Sequence, residues 1–318
     1  MNNKETILIS DEKKLEFKKE IFKQSYIKHN DDDGTKDKII LVTDFDYTLF
    51  NKYNYDKGTK YSSSYGFYNQ DVFGGNQKDI IEKRKIMHST YIKYEEDLSI
   101  DIKIRAEKIN EWNRKALGYM IHPNFTRDSV KKMVELKKDL GLKKKLKEFY
   151  EKLIELNIPI IIVSGGIKEI IIEFLKLINI KGLDDYINRK RIYIIANEFI
   201  FDEKTKKCIG YNDDVIHGFN KSEHVQKIIN DNFPNIENVF VLGDLDTDYK
   251  SIEKLNLNKD NIIGIGFIYY TPEEIKDKNF DFKNNDKINT FRKIFDINLM
   301  QSEGYDYPLD ILNIFNTN

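Results

Sequence analysis

Apolar residues along the chain fall into two kinds of pattern. Five short runs are almost uninterrupted: KIILVTDF (38–45), IPIIIVSGG (158–166), RIYIIANEF (191–199), NVFVLGD (238–244) and NIIGIGF (261–267). Runs this short, rich in isoleucine and valine, suit strands buried on both faces, as in a parallel sheet. Elsewhere the apolar positions recur at three- and four-residue steps. In KKLKEFYEKLIEL they are Leu146, Phe149, Leu153 and Leu156, and KEIIIEFLKLI has the same habit after the second strand. That spacing is helical. Strand followed by helix followed by strand predicts an open, doubly wound α/β parallel sheet of Rossmann type, with ligands at the carboxyl ends of its strands.

One interval breaks the rhythm. About 110 residues separate the first strand from the second, far more than one crossover helix requires. The expected organisation is an α/β core formed by 1–50 and 141–318, with a helical cap domain inserted at 51–140. The first part of the insertion, 51–76, is rich in Tyr, Gly, Ser and Asn and reads as loop. Three amphipathic stretches follow it: QKDIIEKRKIMHSTYIKY, IKIRAEKINEWNRKAL and TRDSVKKMVELKKDL, the last with Thr126 as its N-cap. Ahead of the first strand, residues 10–30 form one amphipathic helix through Leu15, Ile21, Phe22 and Tyr26, and Asn30–Lys38 reads as a charged, solvated loop.

Three of the five strands end in residues that make chemical sense together. The first ends in TDFDYT, where alternation along an extended chain would place Asp44 and Asp46 on one side. The second ends in Ser164-Gly165-Gly166, a hydroxyl followed by bare backbone that a phosphate can approach. The fourth ends in GDLDTD, with Asp244, Asp246 and Asp248. Carboxylates converging on one sheet edge repel one another unless a cation sits among them, and hard oxygen ligands suit Mg²⁺. Lys221, in HGFNKSE, supplies a compact positive charge where an acidic site that binds phosphate needs one. The set permits a two-step phosphoryl transfer. Asp44 attacks phosphorus, and Asp46 first protonates the leaving oxygen and then activates water. A DxD pair or an SGG alone more often marks an ordinary loop; what raises this set above that reading is its order and its placement at strand ends.

Charge and composition narrow the partners. Fifty-two basic residues against fifty-three acidic ones leave a net charge of -1, so no global field favours nucleic acid or an anionic membrane. No run is long and apolar enough for a membrane span, the N-terminus lacks the pattern of a signal peptide, and Cys208 is the single cysteine. A cytoplasmic protein is expected, and a monomer is the default for an oligomeric state the sequence does not reveal.

With these residues in place, DFDYT, VSGG, Lys221 and GDLDTD resemble the four motifs of the haloacid dehalogenase superfamily of phosphatases. More specifically the chain resembles the cytosolic 5'-nucleotidase III (pyrimidine 5'-nucleotidase) family. The likeness runs through SGGIKEII, ANEFIFDEKTKKCIGY with VIHGFNK, and VLGDLDTDYKSIEKL. It implies a haloacid dehalogenase-like core and a Mg²⁺-dependent hydrolase of nucleoside 5'-monophosphates, pyrimidine ones among them, working through an aspartyl-phosphate. It implies Asp44 as nucleophile and Asp46 as acid/base. Mg²⁺ would be held by Asp44, the main-chain carbonyl of Asp46 and Asp244. Ser164, Gly165 and Lys221 would hold phosphate, and Asp248 would support the metal shell. In YEEDLSI the family's base-recognising glutamate falls on Glu95, which reads equally as a solvated residue in a charged run. Trp112, in EWNRKA, suits either base stacking or the interior of the cap. Ala116 stands where the family has a serine, which leaves base preference open. A phosphatase for a sugar phosphate or phosphoserine, and a nucleoside phosphotransferase, would use the same core residues.

Overall fold

The computed structural model describes residues 6–31, 37–97, 99–137 and 141–316. Eleven strands are described: β1 (Ile7–Ile9), β2 (Ile39–Thr43), β3 (Tyr53–Asn54), β4 (Thr59–Lys60), β5 (Ile160–Ile167), β6 (Ile192–Asn197), β7 (Phe199–Phe201), β8 (Cys208–Tyr211), β9 (Asn238–Gly243), β10 (Ile262–Ile268) and β11 (Ile297–Met300). Seven of them form one sheet in the order β1-β11-β10-β9-β2-β5-β6. All neighbours are parallel except β1, which pairs antiparallel with β11 at the edge. The five apolar runs are the five central and flanking strands β10, β9, β2, β5 and β6. The edge pair β1 and β11 was not among them. The third run divides at Glu198, where β6 gives way to the β7–β8 hairpin.

Period-two alternation splits each strand between two cores. Ile39 and Leu41, Ile160 and Ile162, and Phe240 and Leu242 point into one hydrophobic cluster. Ile40 and Val42, Ile161 and Val163, and Val239 and Val241 point into the other. On the first face lie α1 (Glu12–Asp31), through Leu15 and Phe22, α6 (Leu146–Glu155), through Phe149 and Leu153, and α7 (Lys168–Ile178), through Ile171 and Phe174. On the second lies α9 (Lys221–Asn232), through Val225 and Ile229. The expected N-terminal helix is thus present and packed on the core, while residues 32–36 of the charged loop lie outside the described residues.

β2 occupies the middle of the sheet, between β5 and β9. The chain runs outward from β2 on one side and returns on the other, so a crevice opens at the carboxyl end of β2, the topological switch point.

The insertion leaves and rejoins the core at one place. Phe50 bridges antiparallel to Leu142, and the Asn51 amide N–H donates to the Gly141 carbonyl at 2.9 Å. Its helices are α2 (Ser64–Phe67), α3 (Gln77–Glu96), α4 (Ile102–Gly118) and α5 (Arg127–Leu136). Thr126 caps α5, accepting from the Ser129 amide in a capping box. α3 and α4 share a small cluster of Met87, Tyr91 and Ala116. Phe67, Leu117, Phe125, Val130 and Met133 instead belong to the main core. The insertion therefore divides between a helical pair with its own contacts and segments embedded in the α/β body.

The segment carrying the two aspartates is anchored by aromatic packing. Phe45 meets Phe174 edge-on at 4.9 Å and Phe50 at 5.6 Å, and Phe67 of the insertion joins both. Phe174→Ala removes, from a fully buried position, the ring that meets Phe45, Phe50 and Phe67. It should cost roughly 3–5 kcal/mol of stability, read as a lowered denaturation midpoint.

Candidate active site

β2 ends at Thr43, but its ladder continues for one residue: the Asp44 amide donates to the Leu242 carbonyl at 3.0 Å. Asp44 is thereby set beside Gly243 and Asp244 at the end of β9. Lys221, the first residue of α9, places its ammonium between two carboxylates. It donates to Asp44 Oδ1 and Asp248 Oδ1, each at 2.7 Å. The other oxygen of Asp248 accepts the amides of Asp244 (3.0 Å) and Leu245 (2.9 Å), so both of its oxygens are engaged. Carboxylate oxygens of Asp44, Asp244 and Asp248, all buried, lie within 4.8 Å of one another. Asp244 meets a further cation, Lys52, at 3.3 Å.

The electrostatics follow from burial and crowding. Burial pushes the Asp44 carboxyl well up; Lys221 pulls it down, and Asp248 and Asp244 add to the rise. Asp244 is raised by burial in the same way, against the pull of Lys52. Burial alone would lower Lys221, yet Asp248 and Asp44 outweigh it and hold the ammonium above its ordinary range. Three such carboxylates call for positive charge beyond Lys221.

Asp46 is held differently. A turn takes over at Asp46, with Tyr47 in the left-handed region (φ 61°), so strand alternation does not arrange the pair as the sequence suggested. Its Oδ1 accepts the Ser64 amide at 2.6 Å and its Oδ2 the Ser64 hydroxyl at 2.7 Å. Burial raises Asp46 to about 6, with the two Ser64 bonds acting in the opposite direction. Ser64 lies in the serine- and tyrosine-rich stretch that read as loop. It opens the short helix α2 and is fully buried.

At the end of β5, Ser164 Oγ accepts the Gly166 amide at 3.0 Å, and the Gly165 carbonyl accepts Asn197 Nδ2 at 2.7 Å. A Cβ on Gly166 would stand 2.3 Å from Ser64 Oγ, so a bare backbone is required there for Ser64 to reach Asp46. Asn197, buried at the end of β6, also exchanges hydrogen bonds with the Ile216 main chain, donating at 3.1 Å and accepting at 2.9 Å. One amide thus joins the Ser-Gly-Gly turn to the segment that delivers Lys221. Sequence reasoning missed both Ser64 and Asn197. The hint for Ser64 was its place in a serine run just after the first motif; Asn197 carried no motif. His217 donates its amide to Asn220 Oδ1 (2.8 Å) and is lowered to about 4 by burial, consistent with a neutral structural histidine.

Glu95 is exposed in the last turn of α3, where its carbonyl accepts Arg105 at 2.7 Å. Its charge is felt by Lys60 in the β3–β4 hairpin. Trp112 stacks on Tyr91 at 6.0 Å and 14°, and Ala116 packs into the same cluster.

A family profile described as pyrimidine 5'-nucleotidase (UMPH-1) matches residues 47–316. The chain belongs to that family. Pyrimidine 5'-nucleotidase membership makes it a phosphoric monoester hydrolase. The chain is similar to a putative cytosolic 5'-nucleotidase 3 of Caenorhabditis elegans, 24% identical over 66% of this chain and 54% of that protein, so it spans about half the length of that relative. It is also similar to 7-methylguanosine phosphate-specific 5'-nucleotidase A of Xenopus laevis, 24% identical over 88% of each chain. Among solved structures it resembles cytosolic 5'-nucleotidase IIIB bound to cytidine, with a TM-score of 0.75 and 19% identity over 98% of this chain and 94% of that one. The sheet is thus the core of a haloacid dehalogenase-type fold. The family profile begins one residue past Asp46, so the likeness does not depend on the paired aspartates.

For this pyrimidine 5'-nucleotidase family member, Ser64→Ala should lower kcat/KM by about 100-fold, the lower end of what general acid–base groups contribute. Because the Ser64 bonds favour the charged form of Asp46, their loss should also move the alkaline limb of the pH–rate profile upward.

Proposed function

We propose that the chain is a Mg²⁺-dependent 5'-nucleotidase that cleaves nucleoside 5'-monophosphates, with a preference for pyrimidines, through an aspartyl-phosphate. The observation that carries this reading is the division of the two aspartates. Asp44 sits in the ionic cluster with Lys221, whereas Asp46 is set apart on Ser64 with a raised pKa.

The donor set fits a hard divalent cation. Asp44 accepts Lys221 through Oδ1 and Asp244 accepts Lys52 through Oδ2, and both residues belong to the buried cluster. Asp44 and Asp244, with the carbonyl of Asp46, would hold Mg²⁺; Asp248, its oxygens engaged, would orient Lys221 and the end of β9 from behind. Bound Mg²⁺ supplies positive charge for the carboxylates and the phosphate oxygens.

The chain's own groups then divide the work. A carboxylate oxygen of Asp44 attacks phosphorus in line as the bond to the 5'-oxygen breaks, and Asp46 gives that oxygen its proton. Asp46, now a base, takes a proton from the water that attacks the acyl-phosphate, releasing phosphate and restoring Asp44. Lys221, the Ser164 hydroxyl and the Ser-Gly-Gly backbone hold the phosphate oxygens. Asp46 raised to about 6 is the arrangement an acid needs if it is to arrive protonated near neutrality. We also propose that residues 51–140 act as the cap over this centre, with Glu95 accepting an exocyclic amine of the base, and that the protein works as a cytoplasmic monomer.

Phosphate release across CMP, UMP, 7-methyl-GMP, AMP, phosphoserine and a sugar phosphate, with and without Mg²⁺, tests the proposal. CMP and UMP should lead and EDTA should stop turnover; equal rates on phosphoserine would overturn the nucleotidase assignment. Asp44→Asn should fold and yet lose at least about 10³-fold in kcat, the scale expected when a nucleophile is removed. Glu95→Ala should reorder the bases while sparing a generic aryl phosphate, and a matching loss on both would remove Glu95 from base recognition.

A further inference from the structure

The segment that leads into the insertion carries a cation the reaction above does not use. Lys52 lies six residues past Asp46, next to the stem, and its ammonium reaches Asp244 Oδ2 at 3.3 Å. The same ammonium stands 4.9 Å over the ring of Tyr47. Tyr47 is fixed by its left-handed backbone and by its hydroxyl, which donates to the Tyr61 carbonyl at 3.2 Å. Lys52 is thus drawn to a buried core carboxylate from one side and to an aromatic face of the motif loop from the other.

Among the lysines that feel Asp244, Lys143 contrasts with it. Lys143, on the returning segment of the stem, is buried; its ammonium donates to the Glu303 carbonyl at 3.0 Å and to Asn51 Oδ1 at 3.4 Å and lies 4.1 Å over Phe267. Its partners are fixed parts of the core. Lys52 keeps 22% of its side chain exposed, so it is anchored at Asp244 by charge rather than by enclosure.

Charge balance says what that anchor is for. Among the described residues, Lys221 and Lys52 are the lysines in ion-pair contact with Asp44, Asp244 and Asp248, two positive charges against three negative. With a divalent cation beside Lys221 the same three carboxylates are already neutralised. Lys52 is then surplus at Asp244, and the nearest negative charge to arrive is the phosphate of the substrate.

We propose that Lys52 is an exchangeable counter-ion: Asp244 holds its ammonium until a divalent cation arrives, and the released ammonium then pairs with the substrate's phosphate, so that metal and phosphate bind cooperatively. The proposal rests on the metal site assigned above. It makes Lys52 a group that binds the phosphate from the cap side, opposite in origin to Lys221, which comes from the core.

The full chain, stripped of metal, is titrated calorimetrically with Mg²⁺ and with Mn²⁺, in the absence and presence of inorganic phosphate. In the wild type, phosphate should tighten metal binding, and by linkage the metal should tighten phosphate by the same factor. Lys52→Met should bind the metal alone about two- to fivefold more tightly, since a competing ion pair is gone. It should also lose most of the coupling to phosphate and raise KM for the nucleotide while changing kcat much less. Lys52→Arg should restore the coupling in part. Unchanged or weaker metal binding by Lys52→Met overturns the proposal. So does a wild type whose metal affinity ignores phosphate, a result that needs no variant to fold. The metal titration uses no nucleotide, so its outcome is separate from whether the chain hydrolyses CMP.

Discussion

The ammonium of Lys221, wedged between the carboxylates of Asp44 and Asp248, is the interaction on which the rest of the centre depends. Three carboxylates within 4.8 Å of one another are held away from water at the end of a parallel sheet. Ionised and uncompensated, such a group costs several kcal/mol per charge, and removing one member of a buried pair costs roughly 3–5 kcal/mol. Lys221 meets part of that demand from the first turn of α9. Through Asp248 it also reaches the backbone at the end of β9, because the second oxygen of that residue accepts the amides of Asp244 and Leu245. A single cation therefore ties Asp44, β9 and α9 together.

What Lys221 does not touch is as informative. Asp46 lies two residues from Asp44, yet its carboxylate is taken by Ser64 of the insertion. The two acids are thereby placed in different electrostatic settings, one inside an ionic network and one half-buried and bound by neutral donors. Such a separation is what would let neighbouring carboxyl groups do opposite jobs at one pH. It also makes the α/β body and the insertion joint owners of the centre. Gly166 stands as the point where they touch, since a side chain there would collide with Ser64.

Much of this was legible in the chain because strands buried on both faces leave a plain mark. Ile39–Val42, Ile160–Val163 and Val239–Leu242 had to be apolar at every position, and their polar endings stood out against that background. β1 and β11 escaped because strands of three and four residues, ILI and INLM, are too short to carry a pattern. Ser64, Asn197 and Lys52 escaped for another reason. Each works through tertiary placement, from a loop, a strand end and a stem, and a polar residue in a polar stretch announces nothing about what it will face. The aspartate pair shows the converse. Its residues were found from sequence, but a turn beginning at Asp46, and not the pleat, determines where they point.

The clasp between Asn51 and Gly141 gives the insertion a single neck. Both of its connections pass through one spot, braced by the Phe50–Leu142 bridge. Asp46 sits five residues before that neck on the core side, and Ser64 lies thirteen residues past it on the insertion. The bonds between them are short and directional, so the acidity of Asp46 depends on how the chain folds back beyond the neck.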